Sequence, residues 1–330
     1  GVAGGKPGDL RGTFVLQKGY DLSLEPSVDW DIASYTDELL THSCANYVSD
    51  GSTVFTRDGK LVLRVSSICE GNRNCLNSGR IMSKEAFTHG LFAFKARVPK
   101  CHDVWPAIWL LPGDASGDGQ YGRWPCSGEI DVVETVGDHD FGTFNVVTGS
   151  GGVHQGCDAG LQCNRCQPNY CVRSSLENSS SGGYFVEHVD CKAGVEQPSW
   201  KEHTFVLHWQ HDKMTAWVDP IFERDARGRI LSIQAKELPA DAAGDLPTWK
   251  TYDRNTTQAW RAAQPFMEQC HPDSSADAPF DAPFKLVLNI AIGGYDGSLC
   301  RWGDGCSTAC AGAVGAELVV SEISIWQQAQ

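Results

Sequence analysis

The stretch WPCSGEIDVVE at residues 124–134 places three acids in a segment that otherwise has the composition of a β-strand. The acids are Glu129, Asp131 and Glu134, and the apolar residues between them are Ile130, Val132 and Val133. Carboxylates on a half-buried strand lose hydration and repel one another. The segment therefore indicates either a chemical use for the acids or an unusually hydrated sheet face.

The spacing of the acids does not fit a flat strand. With strict alternation Glu129 and Asp131 share one face of the sheet, whereas Glu134 points to the other face. A β-bulge at Val132 or Val133 adds one residue and returns Glu134 to the side of Asp131. We therefore predict a bulge that brings all three carboxyl groups onto one face.

Carboxyl pairs on one face are typical of enzymes that cleave glycosidic bonds. Four strand steps of about 3.3 Å put the outer Cα atoms roughly 13 Å apart, and inward-leaning side chains bring the carboxyls to about half of that. Retaining glycosidases need about 5 to 5.5 Å and inverting ones about 6.5 to 9.5 Å, so the spacing slightly favours retention. One glutamate would stay ionised while the other carries a proton, and Asp131 between them would tune both.

The competing interpretation is a hydrated strand whose acids pair with cations. Arg123 is the one Lys or Arg within six residues of the acids on either side. A chemical use is therefore the better explanation.

The whole chain restricts the class of protein. It has 330 residues and a formal net charge of -14 at pH 7. This acidity argues against nucleic acid or an anionic membrane surface as a partner, because both require a basic face. No apolar run reaches the ~18 residues of a membrane span. We expect the protein to act as a monomer.

Cysteine content indicates an oxidising compartment. The chain has 14 cysteines, enough for up to seven disulfide bonds whose pairing stays open. Sequons at Asn178 and Asn255 fit a secreted glycoprotein. No signal peptide precedes Gly1, so we expect the mature form of an extracellular protein.

Short alternating runs bounded by turn residues predict an all-β protein. Besides the acidic strand they are KLVLRVS (60–66), GLFAFKARV (90–98), FGTFNVV (141–147), HTFVLHW (203–209), KMTAWVD (213–219), FKLVLNIAI (284–292) and ELVVSEISIW (317–326). Their spread along the chain favours one β-sandwich domain over residues 1–330. Residues 148–200 are predicted to be a Cys-rich loop insertion, and residues 222–283 a polar loop region with a short helix around 257–268.

Tryptophans surround the acidic strand. Sugar rings lie flat on indoles, so a polysaccharide site combines paired carboxyls with Trp. Trp124 precedes Glu129 by five residues, and the i to i+4 spacing of Trp105 and Trp109 puts both on one face of a strand. A single Trp is more often part of a core, but three beside the acids favour a binding face.

Six segments together resemble one enzyme family. GEIDVVE is similar to the bulged signature of glycoside hydrolase family 16. Further segments resemble its laminarinase branch in the same order, namely SGRI (78–81), HGLFAFKARVP (89–99), WPAIWLLP (105–112), FVLHWQHDKMTAWVDP (205–220) and LNIAIGG (288–294). The resemblance runs from about residue 60 to the C-terminus.

This resemblance implies a β-jelly-roll of two curved antiparallel sheets with an open concave cleft, and endo-hydrolysis of β-1,3-glucan with retention. It implies Glu129 as nucleophile, Asp131 as assisting acid and Glu134 as general acid/base. It also makes Trp105, Trp109 and Trp124 sugar platforms, and gives Arg80 and Asn289 positions near the cleft.

The chain departs from the family pattern in several places. Asn145 stands where the strand after the acids usually carries a His, and His154 is the other candidate for that contact. Ser321 replaces the Asp through which many relatives hold a structural calcium, so we expect no metal, and no cofactor. These changes affect the expected substrate more than the reaction type.

Other functions remain as alternatives. Within the chemistry they are a β-1,3-1,4-glucanase, a glucan transglycosylase or a galactan hydrolase, and outside it a non-catalytic β-glucan recognition protein or a purely structural secreted protein. The motif GDGQYG (117–122) matches a dinucleotide-binding pattern but lacks a preceding strand and a following helix. Cys163 and Cys166 are better explained by a disulfide loop than by zinc.

Overall fold

The structure is a computed structural model. It describes residues 8–36, 43–68, 76–100, 103–135, 141–151, 171–173, 183–185, 189–190, 202–237, 247–293 and 311–329. His154 and Asn178 therefore lie outside the described residues, as do Cys163 and Cys166 and most of the predicted insertion at 148–200.

Short strands make up most of the described chain. In order they are β1 Leu10–Gly19, β2 Trp30–Ile32, β3 Tyr35–Thr36, β4 Ala45–Tyr47, β5 Val54–Arg57, β6 Lys60–Arg64, β7 Ser67–Ile68, β8 Leu76–Ser78, β9 Arg80–Phe87, β10 Gly90–Arg97, β11 Pro99–Lys100, β12 Val104–Pro112 and β13 Glu129–Glu134. They continue with β14 Phe141–Val147, β15 Gly149–Gly151, β16 Cys171–Arg173, β17 Gly183–Phe185, β18 Val189–Asp190, β19 His203–Trp209, β20 Lys213–Val218, β21 Ile221–Arg224, β22 Ile230–Gln234, β23 Trp249–Asp253, β24 Phe284–Ile292 and β25 Glu317–Gln328. The described helix is α1 Gln258–Cys270, and 3-10 turns lie at Pro26–Val28 and Ala311–Ala313.

Two large antiparallel sheets form the frame. The sheet that carries the acids, here the site sheet, has the strand order β17-β14-β13-β12-β24-β9-β2. The other, here the cover sheet, has the order β21-β22-β1-β25-β10-β19-β20-β23, with β6 also paired to β25 and β5 to β6. Because neighbours such as β1 and β25 come from opposite ends of the chain, both sheets are assembled from distant segments.

The two sheets enclose one large core, here the sandwich core. It holds alternate residues of the central strands, such as Phe92 and Phe94 from β10 and Leu286 and Leu288 from β24, all fully buried. One face of each of these strands is buried in the sandwich core, so apolar residues recur at alternate positions in their sequences. The observed β14, β19 and β24 coincide with the predicted runs. The all-β prediction is therefore confirmed.

The predicted polar loop at residues 222–283 is partly wrong. It contains most of β21 and all of β22 and β23, and the predicted helix is present as α1 at Gln258–Cys270. Strands β21 and β22 lie at the end of the cover sheet, where Ile230 and Ile233 pack in a smaller outer cluster with Trp217 and Trp326. No residue of β21 or β23 is buried, and the buried residues of the five-residue β22 are Ile230, Ser232 and Ile233, so these strands lack the apolar alternation of a core strand.

Helix α1 packs beside the site sheet. Its buried residues Trp260, Ala263, Phe266 and Met267 recur at helical spacing. The helix contacts β14 and β15, so it supports the strand next to the acids. No helix among the described residues is long and apolar enough to cross a membrane.

Candidate active site

The expected bulge is present in β13. Trp109 of β12 pairs with Asp131, whereas Ala107 pairs with Glu134. Strand β13 thus advances three residues where β12 advances two. The same irregularity appears against β14, between Asp131 and Glu134. One extra residue in the Val132–Val133 region therefore resets the register of the strand.

The bulge sorts the side chains of β13 into two groups. Ile130, Val132 and Val133 are all in the sandwich core. The three acids lie on the opposite face, where Asp131 is 1% exposed and Glu129 and Glu134 are half-buried. The sheet thus presents three carboxyl groups side by side on a surface that a ligand can reach at both glutamates.

Glu129 is held by an indole. Trp124 Nε1 donates a hydrogen bond to Glu129 Oε2 at 2.7 Å. Between them Gly128 adopts a φ of +87°, and a Cβ there would stand 2.8 Å from the Phe280 ring. Only glycine fits this position without displacing Phe280, so the G of GEIDVVE sets the entry of the chain into β13.

The loop that carries Trp124 is anchored by its own polar groups. Ser127 Oγ accepts from the Tyr121 backbone N–H at 3.0 Å and donates to the Gly122 carbonyl at 2.7 Å. The Tyr121 hydroxyl donates to Asp281 Oδ1 at 2.7 Å. Cys126 and Cys270 are both disulfide-bonded and pack in the same small cluster as Tyr121. These bonds position Trp124 although its loop has no regular strand, and the GDGQYG motif lies in this loop.

Glu134 is contacted from both neighbouring strands. Trp105 Nε1 on β12 donates to Glu134 Oε1 at 3.0 Å. Asn145 Nδ2 on β14 donates to Glu134 Oε2 at 3.2 Å. Each carboxyl oxygen of Glu134 therefore accepts a hydrogen bond from a neutral N–H group, which restricts the rotation of the carboxyl group.

Trp109, Asn289 and Arg80 form a second part of the same face. Trp109 Nε1 donates to Asn289 Oδ1 at 2.6 Å. The Arg80 guanidinium lies 5.0 Å from the Trp109 ring centroid and donates from Nη2 to the Ala115 carbonyl at 3.0 Å. The predicted site residues Trp105, Trp109, Trp124, Arg80, Asn145 and Asn289 therefore lie on the same sheet face as the acids or pack against it.

The sequence interpretation missed two tyrosines near Arg80. The ring centroids of Tyr35 and Tyr47 lie 5.8 and 5.9 Å from its guanidinium. The Asn289 amide also donates to the Tyr47 hydroxyl at 3.4 Å. Both tyrosines belong to the very short strands β3 and β4, whose few residues carry no readable alternation. No pattern in the sequence pointed to them.

Tyr252 on the cover sheet lies close enough to the acidic strand for the charge of Asp131 to affect its pKa. Burial, with a smaller contribution from the negative charge of Asp131, raises the pKa of Tyr252 to about 12. Its hydroxyl donates to the Phe144 carbonyl on β14 at 2.8 Å. Tyr252 is therefore a neutral donor that ties the edge of the cover sheet to the strand beside the acids.

Comparison with known proteins identifies the family. The model of the XgeA-like, catalytic GH16 domain matches residues 34–271, most of the chain. The chain belongs to glycoside hydrolase family 16. Its acidic strand, bulge and flanking tryptophans therefore lie in a GH16 catalytic domain, as the resemblance of the sequence segments implied.

Curated relatives of this GH16 chain include both a binding protein and an enzyme. The chain is 29% identical over 218 residues to a β-1,3-glucan-binding protein of Penaeus monodon. This alignment covers 66% of this chain and 46% of that protein. It is 25% identical over 290 residues to glucan endo-1,3-beta-glucosidase A1 of Niallia circulans, covering 85% of this chain and 32% of that enzyme. The chain thus spans less than half the length of these two relatives.

Solved structures establish the fold. The GH16 chain superposes on the laminarinase from Rhodothermus marinus with a TM-score of 0.58 and 20% identity, over 96% of this chain and 98% of that chain. The predicted β-jelly-roll of two curved antiparallel sheets is therefore confirmed.

Proposed function

We propose that the protein is a retaining endo-glycosidase that hydrolyses β-1,3-glucan. The observation that carries this proposal is the bulge in β13, which puts Glu129 and Glu134 on one face with Asp131 between them. Two carboxyl groups flanking a scissile bond are the minimum that this chemistry requires.

We assign the nucleophile to Glu129. Glu129 occupies the nucleophile position of the family signature that GEIDVVE resembles, and the Trp124 indole, which can only donate, holds its carboxylate for attack on the anomeric carbon. The negative charge of Asp131 and Glu129 on the same face favours protonation of the remaining carboxyl, which suits Glu134 as general acid.

The reaction would proceed in two steps, through a covalent intermediate on Glu129. In the first, a Glu129 oxygen bonds to the anomeric carbon while the glycosidic C–O bond breaks and Glu134 gives its proton to the departing oxygen. In the second, the Glu134 carboxylate takes a proton from water, whose oxygen bonds to the anomeric carbon and releases Glu129. Both steps invert the anomeric carbon, so the product keeps the β configuration.

The relatives support glucan as the substrate class. A β-1,3-glucan-binding protein, an endo-1,3-beta-glucosidase and a laminarinase are all similar to the chain. The indoles of Trp105, Trp109 and Trp124 beside the carboxyls suit stacking of pyranose rings. Cleavage of laminarin but not of lichenan or agarose separates this proposal from the β-1,3-1,4-glucanase and galactan hydrolase alternatives, and analysis for lengthened products detects transglycosylation.

Glu129→Gln tests the proposal directly. We expect the variant to keep less than about 1% of the wild-type release of reducing sugar from laminarin, because the amide cannot act as nucleophile. Laminarin binding should remain measurable. Glu317→Gln, which changes a half-buried acid that is paired with Arg57 on the cover sheet, is the matched control and should keep full activity. Proton NMR of the first wild-type product should show the β anomer, and an α anomer would contradict retention.

Non-catalytic glucan recognition is the second candidate, favoured by the similarity to the Penaeus monodon binding protein. It predicts laminarin binding by the wild-type protein without release of reducing sugar. The presence of both Glu129 and Glu134 favours hydrolysis, because glucan binding alone does not require this pair of acids.

We also propose that the protein is secreted. In the described chain Cys44, Cys126 and Cys270 are disulfide-bonded, which suits an oxidising compartment. Asn255 of the second sequon is exposed between β23 and α1, where a glycan can be attached. Mass spectrometry of the protein from its natural host would test glycan attachment at Asn255.

A further inference from the structure

The Asn145 side chain contacts the reacting carboxyl group rather than only the cleft. Its Nδ2 lies 3.2 Å from Glu134 Oε2, and its backbone pairs with Asp131 across β14 and β13. Asn145 is half-buried on a central part of the site sheet, so its position is set by the sheet.

Two donors contact different oxygens of the Glu134 carboxyl group. Trp105 takes Oε1, and an indole nitrogen can only donate. Asn145 Nδ2 likewise only donates, to Oε2, so the two donors hold the carboxyl group from the strands on either side of β13. An amide that donates to Oε2 favours the ionised carboxylate that forms when the proton leaves.

We propose that Asn145 is a positioning residue for Glu134: its amide fixes the orientation of the carboxyl group and stabilises the carboxylate formed when the proton leaves. This goes beyond the sugar contact expected from the sequence, and as a role in hydrolysis it rests on the proposed function above.

The charged groups around Glu134 explain why a neutral side chain at position 145 suits a donor to its carboxylate. Strand β13 supplies the carboxyls of Glu129 and Asp131, while β12 and β24 present Trp105, Trp109 and Asn289. Arg80 on β9 lies against Trp109, and Tyr252 approaches Asp131 from the cover sheet. An amide at position 145 supports the carboxylate without adding a charge or a titration of its own.

Direct titration of Glu134 tests this role without relying on turnover. Carbon NMR of the side-chain carboxyl, assigned by comparison with Glu134→Gln, would follow its protonation in wild type, Asn145→Ala and Asn145→Asp. Loss of a donor to the ionised form should move the Glu134 titration up by about one pH unit in the Ala variant. A carboxylate in place of the amide should move it further, because like charges at this distance disfavour ionisation.

The matched control removes an amide elsewhere. Asn77 on β8 accepts from Asn46 and donates to Ser67 at the surface of a small sheet. Asn77→Ala should leave the Glu134 titration at its wild-type position. An unchanged Glu134 titration in both folded Asn145 variants would overturn the proposal, as would an equal shift in the control.

Kinetics distinguish positioning from substrate binding. Asn145→Ala should lower kcat on laminarin about 10-fold with KM within about twofold of wild type. The loss should shrink for a 2,4-dinitrophenyl laminaribioside, whose leaving group departs without a proton. A raised KM with unchanged kcat would overturn the proposal in favour of a sugar contact. If Glu134 titrates as expected but wild type cleaves no glucan, the hydrolase proposal fails while the Asn145–Glu134 relationship stands.

Discussion

The Trp124 indole nitrogen lies 2.7 Å from Glu129 Oε2, so a loop residue and the first residue of the acidic strand form one hydrogen-bonded unit. The indole ring also packs with Trp109 against Met82, Leu111 and Val287, on the face of the site sheet that points away from the sandwich core. Trp124 thus combines an apolar surface suited to a sugar ring with a donor aimed at the proposed nucleophile.

Trp124→Phe should separate these two contributions. The aromatic face remains but the donor is lost, so we expect kcat on laminarin to fall about 10-fold or more while KM changes little. The acid limb of the pH–rate profile should move to higher pH, because ionised Glu129 loses a stabilising bond. Trp249→Phe, in the outer cluster of the cover sheet, is the matched control and should keep the wild-type profile. A raised KM alone in Trp124→Phe would show that the ring, not the donor, matters.

Deletion of Val132 should remove the bulge but keep the three acids on one face of the strand. The shortened segment EIDVE places its three acids at every second position, which is one face of a regular strand. We expect a folded protein that is less stable by about 1 to 3 kcal/mol, because a buried side chain is lost. It should still release reducing sugar from laminarin above the level of Glu134→Gln. A folded deletion variant as inactive as Glu134→Gln would contradict this account of the strand.

Buried His208 should make the protein sensitive to acid. Burial, with a smaller effect of the Lys213 charge, lowers the pKa of His208 from 6.5 to about 4. Between these two values the unfolded chain binds a proton that the folded protein does not, so stability falls as the pH decreases. The loss reaches about 2 kcal/mol at pH 5.

Urea unfolding of wild type and His208→Leu at pH 7 and pH 5 would measure this effect. The difference between the two pH values should be smaller in the variant by about 2 kcal/mol. Burial also lowers the pKa of His89, so some acid sensitivity should remain. Equal pH dependence in the two proteins would contradict the assignment to His208.

Trp209 should be a major contributor to stability. Its ring is fully buried, lies 5.1 Å from the Phe284 ring centroid, and donates from Nε1 to the Phe280 carbonyl at 3.1 Å. Trp209→Ala should lower the free energy of unfolding by about 3 to 5 kcal/mol. Ile221→Ala, at a side chain that is 57% exposed, should change it by less than about 0.5 kcal/mol. A small effect at Trp209 would mean that the core collapses readily around the missing ring.

Prediction from the sequence succeeded where one strand face is buried in the sandwich core. The runs at residues 141–147, 203–209 and 284–292 coincide with β14, β19 and β24, because apolar alternation follows directly from the two faces of a sheet. The same reasoning failed at residues 222–283. There β21 and β23 have no buried residue and β22 is only five residues long, so their composition did not distinguish them from loop.

Local chain geometry was already readable in the primary structure. The order of acids and valines in GEIDVVE implied the bulge, since a period of two leaves no other way to align Glu134 with Asp131. The partners of those acids were not readable. Trp105 reaches Glu134 across 29 positions, and Tyr47 approaches Arg80 through the pairing of short strands. Such contacts depend on which strands become neighbours, and burial of the whole sandwich core, not the pattern of any one strand, sets that order.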